Sequence, residues 1–137
     1  MAAAHTVLTL RNDLDEIARL SNALEQFAAQ HDVSSATLNA VNVALEEIVT
    51  NVISYAYDGG DHAIGVEFWL DDGSVHAVVT DDGRAYDPLQ RPDPDVHAPL
   101  EERPIGGLGV MLVRRLMDEA TYERRGGTNV LTVRKRL

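Results

Sequence analysis

Apolar residues recur along this chain with two periods, and each switch between them marks a new element. Residues 5–11, His-Thr-Val-Leu-Thr-Leu-Arg, alternate apolar and polar side chains, the period of a strand with one buried face. The period then lengthens. Leu14, Ile17, Ala18, Leu20, Leu24, Phe27 and Ala28 form the stripe of a helix ending near Gln30; Asn12 or Asp13 caps it, with Asp15 and Glu16 in its first turn. Beyond the turn at His31-Asp32, Ser34 or Ser35 caps a second helix that runs to about Tyr57, where Asp58-Gly59-Gly60-Asp61 stops it. Ala63–Leu70 and Ser74–Thr80 return to strand character on either side of Asp71-Asp72-Gly73, a tight-turn signal, so they predict an antiparallel hairpin. From Leu89 to Ile105 Pro92, Pro94, Pro99 and Pro104 break any period, and such a segment in so small a domain is a functional lid or a disordered loop. Gly106-Gly107-Leu108-Gly109 opens a third helix, Val110 to about Glu119, with Met111, Leu112, Leu116 and Met117 on its apolar face. Thr121–Arg124, a turn at Gly126-Gly127 and a strand from Thr128 to Val133, apolar at Val130, Leu131 and Val133, complete the chain. The order βααββ, loop, αββ predicts an α+β fold in one domain, residues 1–137: a two-layer sandwich whose mixed, mostly antiparallel sheet carries helices on one face.

Composition narrows the function classes. With 137 residues, 45% of them hydrophobic, the chain can bury a real core, and its few aromatics make that core mainly Val, Leu, Ile and Ala. The absence of cysteine excludes a disulfide framework, a thiolate metal site and a cysteine nucleophile, and is compatible with a reducing cytoplasm. No apolar run approaches the ~20 residues of a membrane span, and Met1–His5 lacks the pattern of a signal peptide. The expectation is a cytoplasmic protein without a membrane partner. A net charge of −10 argues against direct nucleic-acid binding. The charge is uneven: the C-terminal part is slightly basic through Arg114, Arg115, Arg124, Arg125, Arg134, Lys135 and Arg136, which suits a polar protein-contact face at least as readily as a ligand site.

Three stretches carry candidate chemistry. On the second helix Glu47 and Asn51 stand one turn apart on the same face. They are either a polar pair satisfied locally or by solvent, or a site in which the Asn51 amide oxygen holds a hard cation and Glu47 handles a proton. Glu46 points about 100° away around the helix, which selects Glu47. Asp81-Asp82-Gly83 at a strand end is either an ordinary turn or a carboxylate placed to accept from an exocyclic amine, with Gly83 against the base. Gly106-Gly107-Leu108-Gly109 is either a tight helix entry or an anion cradle of free amides. It is not a phosphate loop of the GKS/T type, and no parallel βαβ unit surrounds it.

Taken in order, Glu47-x-x-x-Asn51, Asp81-x-Gly83 and Gly107-Leu108-Gly109, with a loop before the last, resemble the N, G1 and G2 boxes of the GHKL ATPases. The resemblance covers nearly the whole chain. In Asp81-Asp82-Gly83-Arg84-Ala85-Tyr86-Asp87-Pro88, in Gly107-Leu108-Gly109-Val110-Met111-Leu112-Val113 and in the turn ending at Thr128, it points to the small anti-sigma factor serine kinases of the RsbW/SpoIIAB type. It implies a Bergerat-type ATP site, with ATP and Mg²⁺ as ligands. Asn51 would coordinate Mg²⁺; Asp81 would take the adenine amine, with Thr128 assisting through water; Gly83 would pack on the base. The amides of Gly107, Leu108 and Gly109 would hold phosphates, residues 89–105 would be the lid, and Glu47 would be the general base. Departures are Ala85 where the G1 box usually has a second glycine, Tyr86 where it has Phe, and Ile105 in place of the first glycine of a longer G2 pattern. Arg103 is the nearest cation before the G2 glycines, so it is the candidate for the γ-phosphate.

The length leaves no room for the dimerisation helices of a histidine kinase. The resemblance therefore implies a protein serine kinase and anti-sigma factor in a partner switch. It would phosphorylate a STAS-type anti-sigma factor antagonist on serine and sequester a sigma factor or equivalent regulator. A homodimer is implied on the same ground, with the first strand as a candidate pairing edge. The competing expectation is a nucleotide-sensing binding module without catalysis, for which Glu47 would not be needed.

Overall fold

The protein is described by a computed structural model covering residues 5–87, 89 and 107–137, with the backbone alone for 107–111. The expected lid, including Arg103, lies outside the described residues apart from residue 89. Strand β1 spans His5–Arg11; a 3-10 turn, Leu14–Glu16, leads into α1, Ile17–Gln30; α2 spans Ser35–Tyr55. Strands β2 (Ala63–Asp71) and β3 (Ser74–Asp81) follow, then α3 (Gly107–Leu116), β4 (Glu119–Arg125) and β5 (Thr128–Arg136).

The strands form one sheet in the order β1-β2-β3-β5-β4. All four pairings are antiparallel, so the described sheet has no parallel pair and is simpler than the mixed sheet expected. Both hairpin turns use the left-handed region: Asp72 and Gly73 have φ of 51° and 73°, Gly126 and Gly127 have 51° and 86°. That geometry matches the right-handed twist of the flanking strands.

Alternation sorts the sheet into two faces. Leu10, Ile64, Val66, Phe68, Val75, Ala77, Val79, Leu131 and Val133 point inward and are buried. Against them lie Leu20, Leu24 and Phe27 of α1, Val41, Ala44, Leu45, Ile48 and Val49 of α2, and Val113 of α3. Phe27 meets Phe68 edge to face at 5.1 Å between centroids, which ties α1 to the middle of β2. The opposite face carries His5, Trp69 and His76 as a stacked row, at 4.7 and 5.4 Å, and leaves Val7 68% exposed. No described helix is long and apolar enough to cross a membrane.

The element ends have local causes. Asp13 caps the 3-10 turn by accepting from the Asp15 amide at 2.9 Å, while Asn12 bridges to the loop after α2, donating to the Gly60 carbonyl and accepting from the His62 amide. Ser34 caps α2 by accepting from the Thr37 amide. The third helix starts at Gly107 instead of Val110 and stops at Leu116, short of Glu119. The Asp118 amide already bonds the Arg134 carbonyl, so backbone pairing with β5 takes over there. For the same reason β5 runs three residues past Val133, to Arg136, opposite Ser74–His76.

Glu16 is the one charged side chain among the buried polar residues of the α1 entry, only 4% exposed. Its carboxylate accepts from the Arg11 amide at 3.0 Å, from Arg11 Nε at 3.2 Å and, with both oxygens, from Arg19 Nη1 at 3.1 Å. The Arg11 amide bond, followed by the two guanidinium contacts, holds its pKa below the usual carboxylate range against the opposing effect of burial. The folded state therefore prefers the ionised form. That stability is complete above the ordinary glutamate value of ~4.3 and is lost as pH falls through that range towards the lowered pKa. Urea melts between pH 7 and 3 are expected to show a steeper loss for the native protein than for Glu16→Gln, which is less stable near neutrality and flatter below it.

Candidate functional site

The C-terminal half of α2 and the adjoining ends of β3 and β5 border a small cleft, partly open to solvent. One wall is the α2 face carrying Ile48, Asn51, Val52 and Ala56; the floor is Val79, Asp81, Asn129 and Leu131; Tyr122, Arg84 and Tyr86 border it. Helical spacing produces the wall. Ile48, Val52 and Ala56 are four residues apart and Asn51 is three after Ile48, so a polar amide is set beside an otherwise apolar stripe.

Asp81 closes β3 and is 6% exposed. Its Oδ1 accepts from the Gly83 amide at 2.9 Å and from Asn129 Nδ2 at 3.0 Å. Asp81 and Asn129 are direct partners in the β3–β5 register, which explains why their side chains meet. Asn129 also donates to the Arg84 carbonyl at 2.8 Å and accepts from the Tyr122 hydroxyl and from Arg124 Nη1. The turn after Asp81 is pinned on both sides: the Arg84 amide donates to the Ala56 carbonyl at 3.0 Å, and Arg124 Nη1 to the Gly83 carbonyl at 2.8 Å.

Gly83 is fixed by the helix beside it. A Cβ there would fall 2.5 Å from the Ala56 carbonyl oxygen and 2.6 Å from the Ala56 Cβ. Only a residue without a side chain lets the turn lie against the end of α2. Ala85, two residues on, is exposed and avoids positive φ, so it fits without strain. At the mouth, Tyr57 donates to Asp82 at 3.2 Å and stacks on His62 at 4.0 Å. Burial, then the charges of Asp81 and Asp82, push the Tyr57 pKa well up, so its hydroxyl stays protonated and remains a donor.

Residues 10–135 match the family described as the histidine kinase-like ATPase domain. The chain belongs to that family. Among its relatives are the serine/threonine-protein kinase BtrW of Bordetella bronchiseptica, 31% identical over 112 residues that make up 80% of this chain and 78% of BtrW. The serine-protein kinase RsbW of Listeria monocytogenes serovar 1/2a is 29% identical over 140 residues, covering 96% of this chain and 88% of RsbW. The fold is also that of a crystal structure of the RsbU and RsbW domains of Rv1364c from Mycobacterium tuberculosis, with a TM-score of 0.71 at 20% identity. That match covers 98% of this chain and 32% of the other, so the chain spans about a third of that protein.

In this histidine kinase-like ATPase domain, the residues singled out from the sequence are distributed unevenly about the cleft. Asn51 and Asp81 line it. Glu46 faces α1, accepting from Ser21 Oγ at 2.8 Å, which leaves Glu47 as the carboxylate on the Asn51 side. Glu47 is half-buried but is not among the cleft-lining residues. Gly107, Leu108 and Gly109 form the first turn of α3, where backbone amides have no partner within the helix. Among the described residues no group of three or more His, Asp or Glu side chains could cage a metal, so a cation here would need ligand oxygens from a bound molecule beside Asn51. Thr128 starts β5 opposite Arg125 and is absent from the lining; its neighbour Asn129 occupies the inward position beside Asp81. The signal for Asn129 is the strand period: positions 129, 131 and 133 share a face, and Asn129 is the polar member of that row.

Gly83→Ala is expected to destabilise the fold by about 1–3 kcal/mol, the usual cost of forcing an extra methyl into packed surroundings. A lowered urea midpoint in the absence of any nucleotide checks this; an unchanged midpoint would mean that the glycine serves the ligand alone.

Proposed function

We propose that the cleft binds ATP and that the domain is an ATP-dependent protein serine kinase and anti-sigma factor. Its substrate in this reading is a serine of a STAS-type anti-sigma factor antagonist, and its second partner is a sigma factor or equivalent regulator. The observation that carries the proposal is the buried Asp81 in a mostly apolar cleft that Asn51 of α2 also lines. A carboxylate is a fitting acceptor for the adenine amine, and Val79, Leu131, Val52 and Ile48 offer apolar contact to the ring. The kinship with BtrW and RsbW, both named as kinases of serine, supports the choice of phosphoryl acceptor.

The donor set suits the expected ligands. Asn51 has no hydrogen-bond partner among the described residues, so its amide oxygen is available for Mg²⁺. Bound there, Mg²⁺ would supply charge neutralisation to the phosphates. The first-turn amides of α3 would hold phosphate oxygens, with Arg103 as the proposed cation for the γ-phosphate. The adenine subsite in this reading comprises Asp81, Gly83, Ala85 and Thr128, with Asn129 beside Asp81 in the register. Glu47 would accept the proton of the serine hydroxyl as its oxygen bonds to the γ-phosphorus and the bond to ADP breaks. Residues 89–105 would cover the nucleotide as a lid. A homodimer and a cytoplasmic location belong to the same proposal; β1, an edge strand of the sheet, is the candidate pairing edge.

A second reading, a nucleotide-sensing module without catalysis, is favoured by the position of Glu47 outside the cleft lining. Two substitutions separate them. Glu47→Ala is expected to lower phosphate transfer from labelled ATP to a serine-bearing antagonist by roughly 10²–10⁴-fold while ATP affinity stays within a few fold. Calorimetry on Asn51→Ala is expected to show loss of the Mg²⁺-dependent part of ATP binding. A native protein that binds ATP yet transfers no phosphate to any antagonist would leave the sensing module standing.

A further inference from the structure

The Asp81–Asn129 pair does more than satisfy a buried carboxylate. An asparagine amide offers two N–H donors and two acceptor lone pairs. Here all four are used: Nδ2 donates to Asp81 Oδ1 and to the Arg84 carbonyl, while Oδ1 accepts from Tyr122 Oη and Arg124 Nη1. Turning the amide over would set its oxygen against two acceptors, Asp81 Oδ1 and the Arg84 carbonyl, and its NH₂ against the donor-only guanidinium of Arg124. The network therefore fixes which end faces Asp81. Asp81 Oδ1 in turn receives two donors, the Gly83 amide and Asn129 Nδ2, and both of its lone pairs are filled. Its Oδ2 has no partner among the described residues.

An unencumbered carboxylate presents two acceptor oxygens side by side. That edge matches guanine, whose N1–H and 2-amino group are adjacent donors. Adenine offers one donor group, the 6-amino, next to a ring acceptor. A carboxylate with one oxygen already filled can take a single donor, which fits adenine and leaves the second guanine donor without a partner in a desolvated place.

We propose that Asn129 is a positioning residue that sets purine specificity: with the Gly83 amide it occupies Asp81 Oδ1, making the carboxylate a one-point acceptor that admits adenine and turns guanine away. This rests on the reading of the cleft as an adenine-nucleotide site. It assigns the discrimination to a side chain that need not touch the nucleotide.

The native protein gives the first test. Inosine triphosphate has the guanine ring without its 2-amino group, so it measures what that second donor contributes. In competition with ATP in the presence of Mg²⁺, both GTP and ITP are expected to be poor, and GTP the poorer of the two, because it alone carries the unpaired 2-amino group. GTP binding about tenfold tighter than ITP would show two-point recognition and overturn the inference, with ATP binding untouched. Asn129→Ala removes the donor and returns a lone pair to Asp81 Oδ1. Its ATP-over-GTP preference is expected to fall at least tenfold, through a gain in GTP affinity as well as a loss for ATP, and GTP should now outcompete ITP. A general loosening of the site would weaken all three nucleotides together, and that result would overturn the assignment. Asn129→Ser, which keeps one donor, is expected to retain most of the preference; if the alanine variant does not fold, the serine variant and the native GTP/ITP ratio decide. A native protein that binds no ATP at all overturns the reading of the cleft itself.

Discussion

A carboxylate taken out of water at a strand end must be met by donors, and much of this molecule is arranged around that requirement at Asp81. Two donors come from near and far in sequence: the Gly83 amide two residues on, and Asn129 from a strand placed opposite by register. The first folds the chain into a turn directly after β3. The second requires that Asp81 and Asn129 stay paired, and a slip of one residue would put Val130 or Thr128 on the wrong face. Since β5 also pairs with β4, the same constraint brings Tyr122 and Arg124 to the cleft. Register, turn and cleft thus share one cause.

The helix beside this cluster has to serve two surfaces. Ala44, Leu45, Ile48 and Val49 are buried, while Asn51 and Val52 of the next turn open on the cleft. Its end is held close by the turn after Asp81, through the Arg84 amide on the Ala56 carbonyl. The tight approach of Gly83 to Ala56 follows from that bond, and a larger residue would have to separate the helix from the sheet edge that completes the site. Fold stability and site geometry are therefore coupled at this point.

Elements with local determinants were legible in the sequence. The alternation of β1, the caps at Asp13 and Ser34, and both glycine-bearing hairpin turns depend on near neighbours and could be placed closely. The errors fall where tertiary pairing decides. The glycines at 107–109 suggest a loop ahead of a helix at Val110, yet the helix includes them. Arg134, Lys135 and Arg136 fall beyond a strand read to end at Val133, but their backbones complete the ladder with β3. Within the site, Glu47, Asn51, Asp81 and Gly83 stand out as polar or glycine residues at helical and strand-end positions. Asn129 does not, because reading Val130, Leu131 and Val133 as one apolar row ignores that 130 and 131 point to opposite faces; a strict period of two selects 129, 131 and 133. The partner that makes Asn129 matter, Asp81, is 48 residues away, and only the register joins them.

The charge of the chain sharpens the demand on the site. A protein with a net charge of −10 repels a polyphosphate at long range. That field is screened beyond roughly 8 Å at physiological ionic strength, so what counts is the charge within the cleft. There Arg84 borders the cavity but is paired with Asp58, and Arg124 is committed to the Gly83 carbonyl and Asn129. Neither is a free counter-charge for a phosphate. In the proposed function the counter-charge would come instead from the amides at the start of α3, from a divalent cation at Asn51 and from Arg103. The two ends of the cleft thereby divide the work. The Asp81 end is satisfied in part by hydrogen bonds and, in the proposed function, would distinguish a base by its donors. The Asn51 end has little fixed positive charge among the described residues, so in the proposed function phosphate affinity there would rest on a metal ion brought in with the ligand and on Arg103.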